Sequence, residues 1–273
     1  MSGSRLRIAV VGHVEWVLFG YAAAPPGAGQ IVHLADPFEE PAGGAAVAAV
    51  TLARAGVDVV FFTALAADAE GMEARRRLRA EGIDVRAAVR PGRQARAVTV
   101  LDDAGDRTII VVQPNAYPRA DDELGWEELA DCAAVYATCA EPSAIVEARS
   151  AGALVCSARQ LEALRASGVR ADVVVGSAGD RGEQVDASLL AEQADAIVAT
   201  DGTRGGRWQR AAEGGSWAAV AAARERRDAY GAGDSFAAGM TLGLGLGDAL
   251  DAAVRRGAEW GAAAVARRGP YGG

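Results

Sequence analysis

From about residue 134 onward, short apolar runs and charged, helix-forming stretches alternate with little between them. Ala134–Tyr136, Leu154–Cys156, Val173–Val175 and Ile197–Ala199 read as short buried strands, separated by segments rich in Ala, Leu, Glu and Arg. Parallel neighbours need a crossover between them. The alternation therefore predicts a three-layer, doubly wound α/β fold with a mostly parallel sheet and ligand sites beyond the strand carboxyl ends. Leu6–Val11, ended by Gly12, reads as the first strand, and Val57–Leu65 as another. Ala45–Ala55 and Ala69–Glu81 read as helices stopped by Gly56 and Gly82.

Two regions depart from this pattern. Between about 14 and 41, the apolar pieces Val14–Phe19 and Gln30–Leu34 mix with Pro25, Pro26, Gly27 and Gly29. Between about 84 and 112, the β-rich stretches Gln94–Leu101 and Thr108–Val112 flank the turn Asp102–Asp106. Both regions are expected to supply strands of a small accessory sheet. Short strands near Gly206–Trp208 and Trp217–Val220 precede two helices, Gly233–Gly243 and Asp248–Arg267. With neither a repeat nor a low-complexity linker, residues 1–273 are expected to form one domain.

At 273 residues, 51% apolar but only 5% aromatic, the chain builds its core mainly from Ala, Val and Leu. Its 28 basic and 36 acidic residues argue against nucleic acid or an anionic membrane as partner. Every basic residue is Arg, for the sequence contains no Lys. A P-loop lysine is thereby excluded, and a phosphate must be met by Arg, a metal ion or a backbone dipole. Cys132, Cys139 and Cys156 form no CxxC pair, which points to buried free thiols in a reducing compartment. The short polar stretch Met1–Arg7 lacks a signal-peptide core and no run reaches membrane length, so a cytoplasmic location is expected.

Most of the chemical information lies in Asp228-Ala229-Tyr230-Gly231-Ala232-Gly233-Asp234-Ser235-Phe236-Ala237-Ala238-Gly239. Gly231-Ala232-Gly233 lets the backbone turn tightly against a ligand, and the helix that follows points its free amides and positive dipole end at it. Asp234 reads either as a plain N-cap or as a base that takes a proton from a hydroxyl attacking a bound phosphate. The segment is not GxGxxG, and Gly12-His13-Val14-Glu15 after the first strand is no dinucleotide fingerprint. A Rossmann-type oxidoreductase is therefore disfavoured.

The same segment resembles the D-T-x-G-A-G-D-x-F-x-x-G signature of the ribokinase-like (PfkB) carbohydrate and nucleoside kinases, with Ala229 and Tyr230 as departures. The resemblance implies an anion hole at Gly231, Ala232 and Gly233, with Asp234 as catalytic base and substrate contact. Thr200-Asp201-Gly202-Thr203-Arg204-Gly205 is similar to the family's T-x-G-x-x-G, implying nucleotide contacts at Thr200, Gly202, Arg204 and Gly205. Pro41-Ala42-Gly43-Gly44 resembles the glycine pair before a substrate-side helix, and Asp68-Ala69-Glu70-Gly71 the end of G-D-D-x-x-G. Ala97–Val112 resembles part of a lid that closes over the sugar. ATP and Mg2+ are the implied cofactors, with K+ in many members, and a homodimer through the lid is implied as well.

Several positions depart from that pattern. Val17 stands where the family carries a carboxylate, leaving Glu15 as the substrate-side acid or a solvated charge. Val47 replaces an Asn that touches the sugar, which implies a substrate less polar at that edge. Ser177-Ala178-Gly179-Asp180 occupies the magnesium-organising Asn-x-x-Glu, with Ser177 and Asp180 as oxygen ligands or as a polar turn. Ala258–Gly261 lacks the Asn common near the adenine. Asp228, Arg268 and the Gly269-Pro270 turn resemble a monovalent-cation site. His13, His33, Trp16 and Phe19 fall in the lid region as packing or pocket residues, and Arg75-Arg76-Arg77 reads as a solvated helix face. The sequence thus leads to an ATP-dependent kinase of a sugar-like alcohol. A nucleoside kinase, or a protein that binds nucleotide or metabolite without turnover, stands as the alternative.

Overall fold

The computed structural model describes residues 6–103, 105–222 and 227–272. Nine strands form the large sheet. In chain order they are β1 (Arg7–Gly12), β4 (Asp58–Ala66), β5 (Asp84–Arg90), β8 (Ala134–Thr138), β9 (Leu154–Ser157), β10 (Ala171–Ser177), β11 (Ala194–Thr200), β12 (Gly206–Arg210) and β13 (Glu213–Trp217). Their spatial order is β13-β12-β11-β10-β9-β8-β1-β4-β5. All pairs are parallel except the hairpin end, where β12 runs antiparallel to both β11 and β13.

Successive side chains of each strand serve opposite cores. Ile8 and Val10 pack with helices α1 (Gly44–Arg54), α2 (Ala69–Ala80), α6 (Ala232–Gly245) and α7 (Leu250–Ala264). Ala9 and Val11 face α3 (Pro142–Ala148), α4 (Leu161–Ser167) and α5 (Ser188–Glu192). Burial on both faces explains why these strands are continuous apolar runs in the sequence. The doubly wound, mostly parallel sheet is as expected.

A second sheet has the order β3-β2-β6-β7, from β2 (Glu15–Tyr21), β3 (Ala35–Ala42), β6 (Arg96–Leu101) and β7 (Arg107–Gln113). Its inner face, with Val17, Phe19, Ala97 and Leu101, packs on Val47 and Tyr230 of the larger body. Phe19 stacks on Phe38 at 5.0 Å and meets Tyr230 edge-on at 4.8 Å.

Three expectations about strands need correction. Residues 84–90, expected near the small sheet, extend the large one beside β4, because α2 returns the chain as a parallel crossover. Gln30–Leu34 forms no strand, and Ile31 is 88% exposed. The partner of β2 is instead β3, which tolerates Pro37 and Pro41 because it lies at the sheet edge. Trp217–Val220 is not a strand either. β13 ends at Trp217, opposite the first residue of β12, and has nothing further to pair with.

Candidate active site

Helix α6 starts from a backbone that only glycine enters readily. Gly231 is its N-cap with φ +73°, and a Cβ there would lie 2.8 Å from Val47 Cγ1. The Asp228 carboxylate, fully buried, fixes the approach: Tyr230 N–H donates to Oδ1 at 2.9 Å and Gly269 N–H to Oδ2 at 2.6 Å. Ala232 N–H turns back to Ala229 O at 3.3 Å, and the first bond of the helix runs from Ser235 N–H to Gly231 O at 2.8 Å. The Gly233 and Asp234 amides lie ahead of that bond, as helix-start donors available to an anion. Asp234 is the third residue of the helix rather than its cap.

The Asp234 carboxylate lies against the start of α1, where a Cβ on Gly44 would come 2.6 Å from Oδ1. Gly43, at φ +89°, leaves room for the His13 ring, since a Cβ there would stand 2.9 Å from His13 Cδ2. Its N–H donates to the Tyr230 hydroxyl at 3.2 Å. The two glycines thus let the loop after β1 and the N-termini of α1 and α6 converge. Asp234 is half-buried, and among the described residues its carboxylate has no hydrogen-bond or ion-pair partner. Burial first, and then the Glu183 charge, push its pKa up to about 6; Glu15 adds to this, while Arg107 and Arg159 oppose it.

Glu15, 8% exposed at the start of β2, faces the same crevice, for its charge also raises Tyr230, Tyr117 and His13. His13 is held below its usual pKa by burial, against the Glu15 charge and a hydrogen bond to the Thr138 backbone. Among the described residues its buried Nδ1 has no partner, and its ring meets Tyr117 edge-on at 5.5 Å. Val17 and Val47 are fully buried in the small-sheet core. Val47 packs against the Gly231 turn. His33 is exposed, Trp16 lies beneath Arg77 at 4.9 Å, and Phe19 belongs to the small-sheet core.

Thr200 and Ser177 are register partners at the carboxyl ends of β11 and β10. Beyond Thr200 the chain turns through Gly202 at φ +54° and Gly205 at φ +90°, where a Cβ would fall 1.9 Å from Trp217 O. Arg204 pairs within this turn with Asp201, at 2.5 Å, and stays exposed. Arg107, the first residue of β7, reaches the site from the small sheet and donates to Ala229 O at 3.3 Å.

At the end of β10, the Asp180 carboxylate is already engaged. Arg159 Nη2 donates to Oδ2 at 2.5 Å and Gly182 N–H to Oδ1 at 2.8 Å. Arg159 also binds Glu183, through Nε at 2.9 Å and Nη2 at 2.8 Å. Among the described residues, no group of three or more His, Cys, Asp or Glu side chains is placed to hold a metal. Both oxygens of Asp180 are thus taken up within the protein, by Arg159 and by the Gly182 amide. The Arg268 guanidinium has no lone pair to offer a cation, and the Arg268 carbonyl accepts from Gly272 N–H at 3.0 Å. The guanidinium donates to Asp36 O at 2.7 Å and lies over Tyr21 and Phe38, tying the chain's end to β2 and β3.

Sequence reasoning missed Glu183, Arg159, Arg107, Thr138 and Tyr230. Tyr230 reads in the sequence only as a departure inside the motif, and the others carry no local pattern.

Comparison with solved structures places the chain among sugar and nucleoside kinases in fold. A candidate ribokinase from Agrobacterium tumefaciens superposes with a TM-score of 0.80 at 22% identity, covering 99% of this chain and 94% of that one. A candidate ribokinase II from E. coli, in complex with ATP and Mg2+, gives 0.75 at 21% identity, with 97% and 94% covered. Adenosine kinase from Sinorhizobium meliloti gives 0.74 at 19% identity, with 98% and 96% covered. No curated protein matches the sequence. A family model described as pfkB family carbohydrate kinase matches residues 5–163 and 162–273, and the chain belongs to that family of kinases.

Proposed function

We propose that this kinase transfers the terminal phosphoryl group of ATP to a hydroxyl of a sugar or sugar-like small molecule, with Asp234 as general base. The observation that carries the reading is the pairing at one helix start: unspent amides of Gly233 and Asp234 beside an unpartnered carboxylate with a pKa raised to about 6. A base in that range is ionised at neutral pH yet basic enough to take a hydroxyl proton.

The acceptor hydroxyl, held near Glu15 and His13, gives its proton to Asp234 as its oxygen attacks the terminal phosphorus. The new O–P bond forms as the bond to the departing ADP oxygen breaks. The amides at the start of α6, aided by the dipole ends of α6 and α1, receive charge on the transferring group. The turns after Thr200 and Ser177 flank the nucleotide side, with Thr200, Gly202 and Gly205 as backbone contacts. A divalent ion carried on the nucleotide would neutralise its phosphates when bound. For K+, Asp228 would supply a buried carboxylate beside the carbonyls of the Arg268–Pro270 turn, and rates in K+ against Na+ would check it.

The test is ATP consumption across sugars, nucleosides and vitamin alcohols, with Asp234→Asn in parallel. Turnover is expected on a polyol, falling roughly 10²–10⁴-fold in kcat for the variant with little change in nucleotide affinity. A variant as fast as wild type would remove Asp234 from the mechanism. Preferred turnover of a nucleoside would make the chain a nucleoside kinase, and tight ATP binding without any turnover would favour a binding protein.

A further inference from the structure

A triphosphate tail arriving beside Asp234 meets more negative charge than the base alone. Asp180 and Glu183 stand in the same region, and Glu183 lies close enough to raise the Asp234 pKa. Such a carboxylate pair would ordinarily recruit a divalent ion. Here a guanidinium stands between the two.

Both partners in that arrangement are rigidly placed. On the acid side, the loop after β10 closes on itself: Ser177 N–H donates to Glu183 O at 3.0 Å, and Glu183 N–H to Asp180 O at 3.0 Å. Gly176 permits this closure, because a Cβ there would sit 2.0 Å from Glu183 O. On the base side, Arg159 leaves the end of β9 with its backbone N–H on Ser157 Oγ at 3.3 Å. Gly182 gives the guanidinium room to lie flat, since a Cβ there would be 3.0 Å from Nη1. A planar fork that binds two carboxylates at once is a task for Arg and not Lys. The pair is half-exposed, with 48% of the Arg159 side chain accessible, so its contribution to stability is small and its effect lies in where charge is held.

We propose that Arg159 is a positioning residue of the transfer site, the resident cation of the Asp180–Glu183 pair, and that it keeps a protein-held divalent ion out of that pair. Its kinetic consequence rests on the kinase reading above. The divalent ion of the reaction then arrives only with the nucleotide. Without Arg159, two uncompensated carboxylates would face both the incoming phosphates and Asp234. The groups that act on Asp234 come from several elements: Glu183 after β10, Glu15 on β2, Arg107 on β7 and Arg159 after β9. Asp234 in turn acts on Tyr136 of β8 and on Tyr230.

Two measurements test this without turnover. Mn2+ alone, followed by its electron paramagnetic resonance signal, should stay free when titrated with nucleotide-free protein. Binding of Mn2+ that Asp180→Asn abolishes would overturn the proposal. In protein labelled with 13C at aspartate carboxyls, with the Asp234 signal assigned by Asp234→Asn, Arg159→Gln should move the Asp234 inflection upward by on the order of half a pH unit or more. Arg159→Lys should restore part of that shift, and an unmoved inflection in Arg159→Gln would overturn the proposal. In turnover, Arg159→Gln should raise KM for ATP about tenfold with a smaller change for the acceptor. Should the wild type turn over nothing, the kinase reading fails, while the Mn2+ and 13C results still decide the place of Arg159.

Discussion

As the proposed base, Asp234 would work through the environment imposed on an ordinary carboxylate. Burial and the nearby Glu183 hold its pKa at about 6, so kcat/KM should fall about tenfold per unit as pH drops below that value. A pH–rate profile without an acidic limb near 6 would contradict the assignment. The same shift has a cost in stability. An unfolded Asp ionises near 3.9, so between there and about 6 the folded chain binds the extra proton, and stability falls as pH rises through that window. Above it the penalty is complete. Asp234→Asn removes it, and should stabilise the folded chain by about 1–2 kcal/mol at pH 7.5, after discounting for solvent, and by much less at pH 4. Thermal melts of both proteins at the two pH values check this. Asp234 was legible because its neighbours, Gly231 and Gly233, are its neighbours in sequence. Arg159 and Glu183 were not, because their contact with each other and their reach to Asp234 exist only once β9, β10 and α6 lie side by side.

Among the elements, two helix starts carry the site, and two glycines there fail differently when changed. An Ala at 44 clashes with the end of the Asp234 side chain, touches Thr138 Cγ2 at an ordinary 3.6 Å and gains helix propensity, so Gly44→Ala should keep its melting temperature. The displaced base should lower kcat about 10- to 100-fold. Gly231→Ala must instead hold φ +73° and displace Val47, and should lose roughly 1–3 kcal/mol of stability. Calorimetry beside initial rates separates the two, and an unaltered kcat in Gly44→Ala would mean that Asp234 is not held where the helices meet. The central strands were legible for a physical reason: β8 to β11 are buried on both faces, so apolar content alone marks them. The edges were not. β5 mixes Arg and Asp with two buried residues, Val85 and Ala88, and β3 has two prolines and only two buried residues, Pro41 and Ala42, so only pairing with a neighbour defines them. Arg204 shows the same limit, being taken up by Asp201 within its own turn.

For the whole molecule, the small sheet sets the remaining constraint. Its edge strand β7 exposes Ile109, Ile110, Val111 and Val112 by 43–60%. An apolar edge strand invites pairing, and natural chains cover or charge such edges. Within Ile109–Val112 the strand carries no charge, Arg107 being directed to Ala229 O. A second copy of the same chain offers the matching edge, and a twofold axis would pair the two strands antiparallel and bury both apolar rows. Sedimentation should then give a mass near twice 27.9 kDa at micromolar concentration. Ile110→Asp places a charge in that seam and should shift the distribution to monomer without lowering the melting temperature of the isolated chain. Because the sheet carries Glu15 and packs on Val47 and Tyr230, which support the Gly231 turn, dissociation should also loosen its hold on Glu15 and raise KM for the acceptor more than KM for ATP. A monomeric wild type with full activity would leave the β7 row as plain exposed surface and detach assembly from catalysis.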